Sequence, residues 1–413
     1  MGSYLTRWWR ESSWKSKSEM EQVTEGSNIK KTLHSVKKYI VLSFLCLLLL
    51  FIYTGYLSGS QALTTISHTI FWNHSRSGSS GSSNISSGNI SGSSNSSDSS
   101  SSNSSIRNVT ILLWYWPFGH VTSLQGDVCW DLYHIPRCRL VDQHSMFSSA
   151  DVVVFHNREL IQGIQKLPLD LPRPQGQRWA WLSLESPANN GNLQQYANIF
   201  NMTMTYRRDA DIVLPYGMLE PQETEAQLVE DVTQNKSSLV CWVVSNYQNH
   251  HRRSQVYREL LPVVPVKVYG KWTNTNLPSS DLLPAISRCY FYLAFENSVS
   301  KDYITEKLWW NAYQGGAVPV VLGASVSDYK AVAPPNSFIH VDDFASVKDL
   351  GRYLVELAKD KKRYSEYFTW RQHWKVKRLA EWRERLCKIC VHYESLPQHR
   401  VYSNLMAWVN ANY

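Results

Sequence analysis

The chain has 413 residues, 43% of them hydrophobic, with 17 Trp and 23 Tyr; that is enough apolar surface for substantial cores and excludes a protein disordered throughout. Its formal net charge of +8 comes from dispersed basic residues, with no nucleic-acid motif at the required spacing, so an anionic small ligand is favoured over nucleic acid.

Residues 1–38 are polar, and residues 39–57, YIVLSFLCLLLLFIYTGYL, carry no charge over a length that crosses a bilayer as a helix. A cleaved signal peptide would have a shorter apolar core nearer the N-terminus and a small-residue cleavage site, so an uncleaved signal-anchor is expected. Lys30, Lys31, Lys37 and Lys38 precede the span and no lysine or arginine follows before Arg76, which leaves residues 1–38 cytosolic and everything after the span luminal or extracellular. Residues 58–108 are rich in Ser, Asn and Gly, too polar to bury a core, and read as a flexible stem. Asn73, Asn84, Asn89, Asn95, Asn103, Asn108, Asn201 and Asn235 each begin an N-x-Ser/Thr sequon; Asn201 and Asn235, outside the serine tract, carry more weight as glycosylation sites.

Cys46 lies in the apolar span. The others, Cys129, Cys138, Cys241, Cys289, Cys387 and Cys390, are even in number on the oxidising side, which points to disulfides. Zinc is the competing reading because Cys387-Lys-Ile-Cys390 is a CxxC pair, but it lacks a second pair of similar spacing.

Beyond the stem, short apolar runs alternate with helix-patterned segments. Strands are expected at 110–118, 151–156, 178–185, 211–217, 239–245, 266–270, 290–297, 317–323 and 338–343, and helices at 254–261, 302–314 and 346–360. Near-continuous apolar strands followed by helices predict doubly wound α/β units with parallel sheets. The acidic segment 217–238 separates two groups of units, giving domains at 109–225 and 226–390 and a tail at 391–413 that packs back on the first domain. Ligands are then expected between the domains, outside the carboxyl ends of the strands.

Several strand ends carry chemistry. FENSVSKDYITEKLWWNAYQGG, residues 295–316, leaves a strand at Glu296 and Asn297 and enters a predicted helix near Asp302, on which Tyr303, Glu306 and Lys307 share a stripe. A helix N-terminus with a lysine suits a phosphate. After LVCWVVS, Ser245 and Asn246 precede HHRRSQ, where Arg252 or Arg253 matches a pyrophosphate by its guanidinium fork. Glu185, at the end of RWAWLSLE, is a general-base candidate. Asp209-Ala210-Asp211 has the spacing of a metal-diphosphate ligand pair, although Arg207 and Arg208 stand ready to pair with it.

Together ILLWYWPFG, WLSLESP, YRRDADIVLPYG, CWVVSN, FYLAFENSVSKDYITEKLWWNA, VPVVLG and FIHVDDF resemble the α1,3-fucosyltransferases that build Lewis-type antigens, in order and over almost all of the chain beyond residue 109; the C-terminal part looks most like the leukocyte-type branch. The resemblance implies a GT-B glycosyltransferase with two Rossmann-like domains and a cleft, on a single-pass type II Golgi membrane protein. It implies transfer of L-fucose, with inversion, from GDP-β-L-fucose to the 3-hydroxyl of GlcNAc in type 2 N-acetyllactosamine chains of glycoproteins and glycolipids. Glu185 would be the base, and Arg252 and Lys307 would neutralise the diphosphate in place of a metal. Tyr303 and Glu306 would contact ribose or fucose, and Tyr216, Trp242, Val243, Ser245, Asn246, Tyr292, Glu296 and Asn297 would line the donor pocket. His120, Arg158 and Glu159 fall in the acceptor region. No obligatory cofactor is implied, and a homodimer is compatible with it. The family's disulfides carry over as Cys129–Cys387, Cys138–Cys390 and Cys241–Cys289, with local pairing of Cys129 with Cys138 and Cys387 with Cys390 as the alternative. Two other readings stay open: a membrane-tethered glycan-binding protein on a degenerate transferase fold, and a metal-dependent glycosyltransferase using Asp209 and Asp211.

Overall fold

The structure, a computed structural model, describes residues 108–222 and 232–411. The expected span at 39–57, nearly all of the stem, and Asn73, Asn84, Asn89, Asn95 and Asn103 lie outside the described residues. Among the described residues no helix is long and apolar enough to cross a membrane.

Two parallel sheets form the body. The first contains β1 (Val109–Leu113), β2 (Cys138–Val141), β3 (Val152–His156), β4 (Arg178–Leu182), β5 (Met202–Thr205) and β6 (Ile212–Val213) in the spatial order β2-β1-β3-β4-β5-β6. The second contains β8 (Ser238–Val243), β9 (Val266–Tyr269), β10 (Cys289–Phe295), β11 (Val318–Leu322) and β12 (Ile339–His340) in the order β12-β11-β10-β8-β9. Counted within its own sheet, the first runs 2-1-3-4-5-6 and the second 2-1-3-4-5, so the order reverses between β1 and β3 in the first and between β8 and β10 in the second. Loops leaving the carboxyl ends of strands at such reversals splay apart and leave room for a ligand. A two-stranded antiparallel ribbon pairs β7 (Gly217–Pro221) with β13 (Trp374–Arg378).

Strand alternation divides the core. In the first sheet Ile111, Leu113, Val152, Val154, Ala180 and Leu182 pack on one face, while Leu112, Val153, Phe155, Trp179 and Trp181 pack on the other. Segments near the C-terminus cover both: Leu386, Cys387 and Ile389 join the first cluster, and Tyr402, Leu405 and Val409 the second. The return to the first sheet therefore includes the helix Trp382–His392 and begins before residue 391, where the sequence placed it. The physical reason is the CxxC spacing on that helix. One turn brings both sulfurs to one face, where Cys387 bonds Cys129 and Cys390 bonds Cys138, and Cys241 of β8 bonds Cys289 of the adjacent β10. With every one of these sulfurs in a disulfide, none is left as a thiolate for zinc.

Several expected strands are shorter than their apolar runs: 178–185 ends at Leu182, 211–217 is reduced to Ile212–Val213, and 338–343 to Ile339–His340; two further elements differ in kind. The first strand stops at Leu113 instead of reaching Phe118, because Pro117 opens a 3-10 turn in which Phe118 has φ +56°. The helix expected over 302–314 starts only at Lys307, is π-helical to Gln314, and is preceded by Asp302 at φ +59°. Tyr303 consequently sits in the turn and not one helical turn below Lys307.

Candidate active site

The site is built around the second sheet's reversal point. After β8, the chain turns through Ser245 and Asn246, both exposed, into the helix Arg252–Leu260. Arg252 faces solvent and pairs with the half-exposed Asp342. Arg253 is 6% exposed, its Nη2 donates to the Asn246 carbonyl, and its Nε has no partner. Burial lowers its pKa, opposed by the charge of Glu296 and by the phenols of Tyr303 and Tyr292. Of the two arginines offered by the sequence, the inward guanidinium, within electrostatic reach of Glu296 and Tyr303, is that of Arg253, and Arg252 faces solvent. His251 Nδ1, Ser254 Oγ and Asn297 Oδ1 are likewise buried without partners, polar atoms of the kind a polar ligand satisfies.

After β10, Glu296 is fully buried and accepts from Thr305 N (2.8 Å) and Thr305 Oγ1 (2.9 Å). Lys307 Nζ lies 3.0 Å from Glu296, 3.1 Å from Glu306 and 2.7 Å from Thr305 Oγ1. Burial alone would lower the Lys307 pKa, but the two carboxylates raise it above the ordinary value, so the ammonium stays charged. Glu306 is pulled the other way: burial works upward, yet Lys307 holds it below the usual carboxylate value. For Glu296 burial wins and the pKa is raised despite Lys307. Lys307 also begins the π-helix, whose first N–H groups add positive potential at the same place.

The first sheet contributes Glu185, half-buried two residues past the core position Ser183. Its backbone is pinned throughout. Tyr216 Oη donates to the Leu184 carbonyl, Glu185 N donates to Ser183 Oγ (3.2 Å), and Asn190 Nδ2 donates to the Glu185 carbonyl (3.3 Å). Asn190 is fixed in turn by Asn157, and Asn157 by Trp181 Nε1 (3.0 Å), all buried. No hydrogen bond or ion pair holds the Glu185 carboxylate among the described residues, so a pinned backbone carries an unbonded carboxyl group. Its charge is felt by the phenols of Tyr206, Tyr216 and Tyr303. Burial pushes Tyr206 up to about 12 and holds Tyr216 and Tyr303 well above the ordinary phenol value, with Glu185, Glu296 and Glu306 adding to both of the latter, so all three remain neutral donors.

Direct bonds join the two halves here. Ser186 Oγ, next to Glu185, bonds Ser298 Oγ of the FENS segment at 2.8 Å. Arg208 N and Nε donate to the Asp302 carboxylate at 3.0 and 2.5 Å, and Arg208 Nη2 reaches Asp328 at 2.8 Å. The Tyr206 and Tyr303 rings meet at 4.9 Å. Glu185, Tyr216, Tyr303, Glu306, Glu296, Lys307 and Arg253 therefore form one electrostatic neighbourhood drawn from both sheets.

Buried Tyr292 is within electrostatic reach of Lys307, Glu306 and Glu296, while the other expected residues have different surroundings. Trp242 and Tyr292 are fully buried, Trp242 against Tyr257 and Phe295 and Tyr292 under a hydrogen bond from Asn311, so they shape the second core and present no surface. Asp209 is bidentate to Arg207, and Asp211 accepts from Thr203 N (2.8 Å), Thr203 Oγ1, Tyr402 Oη (2.7 Å) and Arg400. Arg207 Nη1 donates to the Trp408 and Val409 carbonyls. The D-x-D carboxylates thus clamp the C-terminal segment to the first sheet. His120 is exposed, while Glu159 is buried and bonds His156 Nδ1 and Phe118 N. Asn108 and Asn235 are exposed, and Asn201 is half-buried, its amide nitrogen donating to Arg400 O (2.8 Å) and its oxygen accepting from Trp179 N (2.8 Å). Ser186, Ser298, Thr305 and Tyr206 had no sequence signal beyond lying inside the motifs.

Known proteins define the class. Residues 106–217 match the model "Fucosyltransferase, N-terminal" and residues 233–408 the model "Glycosyltransferase family 10 (fucosyltransferase) C-term". The chain is 45% identical over 304 residues to alpha-(1,3)-fucosyltransferase 7 of Mus musculus, covering 73% of this chain and 76% of that one. It is 43% identical to alpha-(1,3)-fucosyltransferase 7 of Homo sapiens (73% and 86% covered) and 40% identical to 4-galactosyl-N-acetylglucosaminide 3-alpha-L-fucosyltransferase 9 of Bos taurus (72% and 81%). A crystal structure of alpha1,3-fucosyltransferase with GDP-fucose is similar at a TM-score of 0.48 and 16% identity, over 76% of this chain and 96% of that one. The chain belongs to glycosyltransferase family 10, the fucosyltransferases.

Proposed function

We propose that this chain transfers L-fucose, with inversion, from GDP-β-L-fucose to the 3-hydroxyl of GlcNAc in type 2 N-acetyllactosamine chains, neutral or sialylated, forming Lewis x-type structures. It works as a GT-B enzyme whose two Rossmann-like domains face each other across a cleft. Residues 39–57 anchor it in the Golgi membrane as a type II protein, with the catalytic part luminal. The observation that carries the reading is the Glu185 carboxylate, unbonded on a pinned backbone, set in one neighbourhood with the Lys307 cluster.

The acceptor 3-hydroxyl gives its proton to Glu185 as its oxygen attacks the fucose anomeric carbon. The bond from that carbon to the diphosphate oxygen breaks on the opposite face, and GDP leaves with the electron pair. Charge develops on the leaving diphosphate, where Arg253, Lys307 and the π-helix N-terminus supply fixed positive potential. Tyr303 and Glu306 hold donor hydroxyls, the neutral phenol as donor and the ionised carboxylate as acceptor. A divalent metal is not required in this scheme, since the D-x-D carboxylates are committed to Arg207, Arg400 and Tyr402. The test is Glu185→Gln with GDP-fucose and N-acetyllactosamine: kcat falls by roughly 10²-fold or more while GDP affinity holds. Retained turnover would remove Glu185 from the role of base.

A further inference from the structure

The π-helix that begins at Lys307 is gripped at its far end by two cations. Lys236, just ahead of β8, donates its ammonium to the Gly316 carbonyl and, at 2.9 Å, to that of Cys289. Arg371 Nη2 donates to the Tyr313 carbonyl. Neither cation bonds a carboxylate among the described residues, and the two repel each other. Burial, then the charge of Arg371, lowers the Lys236 pKa to about 8, and burial lowers that of Arg371. Cations near a helix C-terminus are favoured by the terminal carbonyls and the dipole, but exposed ones give that benefit without desolvation. The register they hold is itself uncommon, since π-helical bonding rarely runs for the eight residues seen here. Ala317 N reaches back five residues to Ala312 O (3.2 Å), and Gly315 passes so close to Asn311 O that a Cβ would come within 2.2 Å. A slip of one residue at this end turns a helix by about 100°, far more than the 3.0 Å contact of Lys307 with Glu296 tolerates at the other.

We propose that Lys236 and Arg371 are positioning residues for the donor: by gripping the last carbonyls of the π-helix they fix its register, and with it the place of Lys307 at the opposite end. This rests on the diphosphate role proposed for Lys307. Neither cation touches the donor. Cys289 opens β10 and Gly316 precedes β11, so the grip lies at the amino edge of the second sheet, whereas Glu296 and the donor loops leave the carboxyl ends of the same strands. The helix between is tied to its surroundings by Asn311 Nδ2, which donates to Tyr292 Oη at 3.0 Å, and by the 2.6 Å bond of Tyr313 Oη with Ser337 Oγ. A change of register at Gly316 is therefore passed along a packed element to Lys307.

The experiment measures GDP affinity by isothermal titration on the full-length chain in detergent, for Lys236→Met and Arg371→Met, with Leu357→Ala as the control for stability alone. Leu357 is fully buried in the core on the other face of the second sheet, so its truncation lowers the unfolding temperature without touching the π-helix. The expected result is GDP binding weakened at least about fivefold in either cation variant and within twofold of wild type in Leu357→Ala, with KM for N-acetyllactosamine unchanged within twofold in all of them. A cycle then shows whether the effect runs through Lys307. Added to Glu296→Gln/Lys307→Met, Lys236→Met should change GDP affinity by less than twofold, because an effect exerted through Lys307 vanishes with it. GDP affinity within twofold of wild type in both Lys236→Met and Arg371→Met overturns the proposal. So does an equal loss in Leu357→Ala, or an undiminished effect of Lys236→Met without Lys307. If Glu296→Gln/Lys307→Met binds GDP as wild type does, the diphosphate reading of Lys307 fails and the positioning role falls with it; normal binding by the two cation variants alone overturns only the positioning.

Discussion

Replacing Lys307 by Met should destabilise the fold before it disturbs any ligand. Glu296 is fully buried, and Lys307 is the cation beside it, 3.0 Å away. Removing that cation leaves a buried carboxylate with only Thr305 as donor, a change that costs about 3–5 kcal/mol when one member of a buried pair is deleted. For a domain of this size the expected drop in Tm is on the order of 6–10 °C. Glu306 adds little to that figure, because its side chain is 44% exposed. In the variant, burial keeps the Glu296 pKa raised with no ammonium opposing it. A carboxyl whose folded pKa lies above its unfolded value binds extra protons on folding between the two, so stability falls as pH rises through that window. The deficit should accordingly be smaller at pH 5 than at pH 8, measured by thermal unfolding. The double variant Glu296→Gln/Lys307→Met removes the stranded charge, keeps an acceptor for Thr305, and should recover most of the Tm but not GDP binding. A Lys307→Met protein with wild-type Tm, or a deficit indifferent to pH, refutes the buried-pair reasoning; a double variant that binds GDP normally refutes the diphosphate role of Lys307.

The remaining predictions separate site residues from scaffold. Arg253→Ala should weaken GDP binding at least tenfold by isothermal titration, whereas Arg252→Ala, which loses only a surface pair with Asp342, should change it less than threefold. Asp211→Ala should lower stability by about 3 kcal/mol in chemical denaturation by leaving Thr203, Tyr402 and Arg400 without their acceptor, and manganese should not restore activity; metal rescue would contradict the clamp. Cys387→Ala/Cys390→Ala should cost several kcal/mol and abolish transfer, because both bonds hold the helix Trp382–His392 on the first sheet; retained activity after denaturant challenge would show that the staple is dispensable.

The α/β class with parallel sheets was legible because the strands are apolar on both faces, and runs such as VVVFH and VPVVL admit little else. Strand order was not, since nothing local states which strands pair, and with it went the two reversal points that locate the site. The helix at 302–314 was misplaced because its periodic pattern extends over a turn in which Asp302, left-handed and bonded to Arg208, belongs to a contact between the halves. Arg253 was within reach of the sequence. Residues 253, 256, 257 and 260 form the buried stripe of their helix, while 252, 255 and 259 face out, so helical phase alone favours Arg253. Of the D-x-D pair, the bond of Asp209 to Arg207 was legible locally, whereas the partners of Asp211, Arg400 and Tyr402, come from nearly two hundred residues away.

The most direct test of the account is transfer by the purified full-length chain, in detergent and excess EDTA, from GDP-β-L-fucose to N-acetyllactosamine, with the product linkage read by NMR. The account predicts an α-linked fucose on O3 of GlcNAc at a rate unchanged by the chelator and cut at least about a hundredfold by Glu185→Gln. No product, a β linkage, or activity that appears only when manganese is returned would contradict it.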